Sequence, residues 1–175
     1  MRRRLHGRIA NDDGTAAIEF ALVLPLMIAL FMGIFEVTRV VGAKMRLTAA
    51  TQSIADMMAQ QANITLAESA NFCGGAKMTL YPLPGTSLKV AVASVTKGAA
   101  STTVDWNDTA CGGATAISSA ATLAPTLVPN VTDSVIIVQT SYSYTSPISY
   151  VLSASYTLTA TAYARPRNVA TVTHD

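Results

Sequence analysis

From Phe20 to Phe35 sixteen residues, FALVLPLMIALFMGIF, run without a charged or polar side chain. With Ala16, Ala17 and Ile18 ahead of them and Glu19 enclosed, the stretch reaches about 20 residues, enough for a helix to cross a ~30 Å hydrocarbon core. A core helix of a soluble protein is a poor alternative, because a helix apolar on every face needs more surrounding chain than remains of the 175 residues. A cleaved secretory signal peptide is the stronger rival, and Val41-Gly42-Ala43 offers a small-residue site of the right kind. Glu36 and Arg39 stand between that site and the apolar run, and the run is longer than a usual signal-peptide core. A retained single span over residues 15–36 is the better reading.

Charge is scarce, at 13% of residues, and the net charge of +2 resides in the first thirteen residues, where Arg2, Arg3, Arg4 and Arg8 face only Asp12 and Asp13. The rest of the chain is neutral, which argues against nucleic acid as a partner, since phosphate contacts need clustered Lys and Arg. Ahead of an apolar run the arginines read as a topology signal, but a weak one: four basic residues precede the span, and Arg39, Lys44 and Arg46 follow it closely. Cys73 and Cys111 both lie after the span. If that part is outside the cytoplasm, one disulfide is the natural state, and two buried thiols are the alternative. Each cysteine opens the same tetrapeptide, Cys-Gly-Gly-Ala, whose glycines suit two adaptable loops.

Directly before the span the chain reads Asp12-Asp13-Gly14-Thr15-Ala16-Ala17-Ile18-Glu19-Phe20. A carboxylate within an apolar helix is costly, so Glu19 is a functional residue unless it merely snorkels to the headgroups. The Gly14-to-Glu19 spacing resembles a type IV prepilin processing site, in which a prepilin peptidase cuts after a glycine and the fifth mature residue is glutamate. The resemblance places the cut between Gly14 and Thr15, with Glu19 fifth and Phe20 the aromatic that follows in the Flp subfamily pattern. Cleavage would remove the leader and expose an amine at Thr15, a natural partner for a neighbouring subunit's Glu19 in a medium of low dielectric. Because that peptidase works at the cytoplasmic face, the resemblance also implies a cytoplasmic N-terminus.

The resemblance narrows further. Gly14-Thr-Ala-Ala-Ile-Glu-Phe-Ala-Leu-Val-Leu-Pro25, then Gly33-Ile-Phe-Glu36, is similar to the start of TadE-like proteins, the pseudopilins or minor pilins of the tight-adherence (Tad) Flp pilus system. A tyrosine-rich segment (Val135–Tyr144) and a Thr/Ala segment ending in Arg165-Pro166-Arg167 are similar to that family's close, and TadG-like relatives share the N-terminal motif but run longer. The family implies a non-catalytic assembly component in the bacterial inner membrane, with its C-terminal domain periplasmic or extracellular. The prepilin peptidase and other Tad pilus subunits and assembly proteins would be its partners, and it would carry no cofactor. The alternative is an unprocessed, membrane-anchored periplasmic module that scaffolds a secretion complex or binds a surface ligand.

Beyond the span Val37, Val40, Leu47, Ile54 and Met58 recur at helical spacing, predicting a continuous helix to about Gln61 and an amphipathic extension over 37–69. After the leader (1–14), span and extension, residues 70–175 read as a β-rich domain. Leu88–Val95 and Thr102–Trp106 predict a hairpin, Thr115–Leu123 a short helix stopped by Pro125, and Ser134–Tyr144 and Ser153–Ala164 two strands. The expected class is α+β, an antiparallel sheet packed on the emerging helix. Catalytic material is thin: His6 falls in the leader and His174 at the C-terminus, neither placed for base or ligand work. Asp105-Trp-Asn-Asp108 has oxygens at calcium-like spacing without the rest of a calcium loop, and reads as a polar turn after a strand, with Trp106 a core anchor.

Overall fold

The computed structural model describes residues 13–128, 130–149 and 154–175. The leader arginines, His6 and Ser153 lie outside the described residues. Helix α1 (Asp13–Ala59) passes through Pro25 and Gly33 and, at 1.5 Å per residue, reaches about 70 Å. Its two halves live in different surroundings. None of residues 14–35 is buried, whereas Ala43, Leu47, Ala50, Thr51, Ile54, Ala55 and Met58 are buried against the domain. The buried positions recur every three or four residues, as one face of a helix requires. Val37 is exposed rather than part of this face; Glu36, 1% exposed, stands at its start instead.

Helix α1 ends at Ala59, short of residue 69, because the C-terminal tail caps it. The Arg167 backbone N–H donates to the Ala59 carbonyl at 2.9 Å, and Asn168 Nδ2 donates to the Gln60 carbonyl at 2.7 Å. Strand β1 (Asn63–Ile64) then pairs in parallel with β6 (Thr173–His174). Helix α2 (Leu66–Thr79) follows, where an extension of α1 was expected. Thr65 opens it with a reciprocal capping box: its hydroxyl accepts from the Glu68 N–H, and Glu68 Oε2 accepts from the Thr65 N–H at 2.9 Å.

Strands β2 (Leu88–Lys97), β3 (Thr102–Cys111), β4 (Ser134–Thr145) and β5 (Ser155–Ala164) form an antiparallel sheet in the order β3-β2-β4-β5. The α+β class and the antiparallel sheet on the helix are as expected. Period-two alternation sorts the side chains. Val90, Val92, Ile136, Val138 and Tyr142 face α1 and α2, while Ala91, Ala93, Val95, Val135 and Ile137 form a second core under residues 114–128. The helix expected over Thr115–Leu123 shrinks to α3 (Ala120–Leu123), followed by a 3-10 turn that contains Pro125. At the centre of the larger core Thr51 and Thr140 share a buried 2.7 Å hydrogen bond between α1 and β4.

The two Cys-Gly-Gly-Ala repeats are not two loops. Cys73-Gly74-Gly75-Ala76 lies inside α2, with Cys73 and Ala76 buried. The second repeat leaves β3 in a turn where Gly112 and Gly113 take φ of 72° and 64°. A Cβ on Gly112 would lie 2.2 Å from the Leu88 carbonyl oxygen, so only glycine fits. Cys73 and Cys111 are joined across α2 and β3, with Cα atoms 5.8 Å apart.

Candidate membrane-anchoring and processing segment

The first 23 residues of α1 set the site. Gly14 lies in its first turn, where an added Cβ would meet nothing within 4 Å, and Thr15, Glu19 and Phe20 follow, all exposed. Thr15 and Glu19 are one turn apart and so share a helix face. Gly14 is helical here, not extended, so a protease that reads extended backbone would first unwind the terminal turn. The last turns of a helix fray at little cost, and glycine least favours the helical state.

Around Glu19 the helix presents large apolar side chains to the outside: Phe20 is 61% exposed, Leu22 76%, Leu26 63% and Phe31 64%. An apolar surface of this extent is not left in water. The helix has the length and composition to cross a membrane, and its most apolar window has no residue buried inside the protein. It fits a single-pass anchor near the N-terminus.

Residues 14–56 match the family model described as TadE-like protein. The matched stretch starts at Gly14 and runs through the bare half of α1 into its buried half, and TadE-like proteins belong to the Tad pilus context. No curated protein and no solved structure matches the chain.

The domain that α1 carries uses its polar side chains to join its own elements. Asp105 accepts from Ser94 Oγ at 3.0 Å and Thr96 Oγ1 at 2.7 Å, across the β2–β3 register shift. Asn107 Oδ1 accepts from the Ile117 N–H at 3.1 Å. Asp108, nearly buried, accepts from Ser69 Oγ and lies 3.4 Å from His174 Nε2. The oxygens of Asp105-Trp-Asn-Asp108 thus go to different elements of the fold. These residues belong to strand β3, not to a turn after it.

The His174 ring also lies 4.9 Å from Trp106, whose Nε1 donates to the Val172 carbonyl at 2.8 Å. Sequence reasoning missed this Ser69–Asp108–His174 cluster. Its members are 39 and 66 residues apart, and the β1–β6 pairing and the Trp106–Val172 bond bring the tail to β3. The aspartate sits between serine and histidine, so the histidine is not in line to take a proton from Ser69, as nucleophilic catalysis needs. A concavity of about 450 Å³ on the outer sheet face is lined by Lys89, Gln139, Ser141, Thr159 and Thr161 among others. Lys89 is its only ionisable lining group.

Proposed function

We propose that the chain is a non-catalytic, pseudopilin-like component of a Tad (Flp) pilus or a related secretion apparatus. In this reading it is made as a precursor, held in the bacterial inner membrane and cut by prepilin peptidase between Gly14 and Thr15. The observation that carries the reading is the division of α1. Its buried half builds the core of the domain, while its TadE-like start, with Gly14 and Glu19 at the proposed spacing, is bare on every face. A helix held so rigidly by its domain can pass from lipid to a packed bundle of like helices without refolding the domain. The same apolar surface serves both surroundings.

After the cut, the Thr15 amine and the Glu19 carboxylate are the only charges at that end of the mature span. A carboxylate in a low-dielectric bundle favours a cation close by, and the amine of a neighbouring subunit supplies it. A peptidase acting at the cytoplasmic face puts the domain outside the cytoplasm, where the Cys73–Cys111 disulfide persists. Glu19→Ala tests the role of the carboxylate. The variant is cleaved like wild type but fails to co-assemble with the other pilus subunits, read by shearing and pelleting of filaments. Wild-type assembly of the variant would refute the pairing.

A further inference from the structure

A cavity of about 220 Å³ lies beside the turns of α1 that directly follow its apolar half. Thr38, Arg39, Gly42 and Arg46 form its helical wall, and Leu83 and Tyr144 lie opposite. We propose that this cavity is a headgroup site for an anionic phospholipid, holding the lipid phosphate between Arg39 and Arg46. The proposal rests on the reading of residues 15–36 as a membrane span.

Position supports it first. Residues 15–35 cover about 31 Å, the thickness of the hydrocarbon core, so Arg39 falls ~6 Å beyond Phe35, in the headgroup layer. This holds whichever side of the membrane the domain occupies. Helical side chains lean toward the N-terminus, so Arg46, two turns further on, reaches back toward the bilayer. Exposed Tyr81, beside the loop that forms the opposite wall, is a residue type found at membrane interfaces.

Charge supports it second. Between Val37 and Ala55 the chain has Arg39, Lys44 and Arg46 and no acidic residue. Arg39 stacks over the Phe35 ring at 5.0 Å, which fixes its guanidinium without using its N–H donors. Arg46 donates to the Tyr81 carbonyl, which steadies it while other N–H donors remain for a phosphate. Glu36, the nearest carboxylate along the helix, is buried and does not line the cavity. Lys44 is turned to the Thr159 carbonyl on β5.

Shape supports it third. Gly42 lies between the arginines, and a Cβ placed on it meets nothing within 4 Å. A glycine in mid-helix that no neighbour requires leaves the floor of the cavity open at a cost in helix propensity.

The test uses the full chain in phosphatidylcholine vesicles, with spin-labelled phosphatidylglycerol and phosphatidylcholine compared for retention at the protein. Wild type prefers phosphatidylglycerol several-fold, by up to about fivefold for each arginine. Arg39→Gln with Arg46→Gln abolishes the preference. Gly42→Leu keeps both arginines and fills the cavity, and it abolishes the preference too. A wild type with no preference would overturn the proposal. So would a Gly42→Leu variant that keeps it, which would mean diffuse attraction to surface charge. Loss of the preference in millimolar inorganic phosphate would mark a site for a soluble anion and overturn the lipid assignment. A chain that alkaline carbonate strips from the vesicles would instead refute the membrane span itself.

Discussion

Removing the Cys73–Cys111 bond by a double Cys→Ala change tests how the domain is held around α1. The bond closes a loop over a sequence separation of 38, containing the end of α2, all of β2 and most of β3. On the chain-entropy account, closing that loop contributes about 4 kcal/mol by restricting the unfolded chain. The two sulfurs are also part of the larger core, so their loss adds a small packing cost. For the roughly 140 residues of the domain, an unfolding entropy near 2.1 cal/mol/K per residue converts 4 kcal/mol into a fall in Tm of about 14 °C. Trp106 is the single tryptophan, anchored in β3 by its bond to Val172, so its fluorescence in detergent micelles reports the melting of the sheet. A fall under about 4 °C would refute the reasoning, because it would mean that the unfolded chain gains little freedom when the bond is absent.

Three further outcomes follow from other contacts. Leu47→Ala, at a side chain with no exposure, costs about 3 kcal/mol of domain stability in chemical denaturation, while Leu30→Ala on the bare half of α1 leaves that stability unchanged. The backbone N–H of Thr65, and then its hydroxyl, hold Glu68 below the ordinary carboxylate range. Stability from this cap is therefore full above the unfolded glutamate value and is lost as pH falls through the lowered folded value. Glu68→Gln, which has no carboxylate to titrate, removes that acid-side slope in denaturation curves recorded between pH 3 and 6. Burial, and then repulsion from Tyr144, push the Tyr142 hydroxyl above its ordinary value, while it donates to the Pro84 carbonyl at 3.1 Å. Its contribution is present below the unfolded tyrosine value and fades as pH rises through the raised one, so one tyrosine ionises late in an ultraviolet titration. Tyr142→Phe eliminates that late step.

The long apolar run, the stripe after it and the four sheet strands were legible because each carries its own period: none for a span, 3.6 for a helix face and two for a strand. The Gly14–Glu19 motif was legible as a spacing, and residues 14–56 agree with the family it suggested. Helix α2 was missed although Thr65-Leu-Ala-Glu68 is a capping-box sequence, because Gly74 and Gly75 in its interior argue for a loop. A buried face of Ser69, Cys73 and Ala76, with the disulfide, overrides that propensity. Strands β1 and β6 have two residues each and exist only through one another, so no local pattern announces them. The Arg165-Pro166-Arg167 tail was noticed as a family feature, but its work is tertiary. Arg165 donates to the Leu127 carbonyl at 2.7 Å and Arg167 pairs with Asp56 at 2.6 Å. Both partners are far away in sequence.

The central claim is that the chain matures at Gly14 into a subunit whose first residue is Thr15. The most direct measurement is the N-terminal sequence and intact mass of the protein recovered from membranes of cells that contain prepilin peptidase, beside cells that lack it. The account predicts a chain beginning Thr15-Ala16-Ala17 with the peptidase and one retaining Met1 without it. A chain that keeps Met1 in both would contradict it and leave an unprocessed anchored module, and a chain beginning at Lys44 would mean that the apolar helix is a signal peptide.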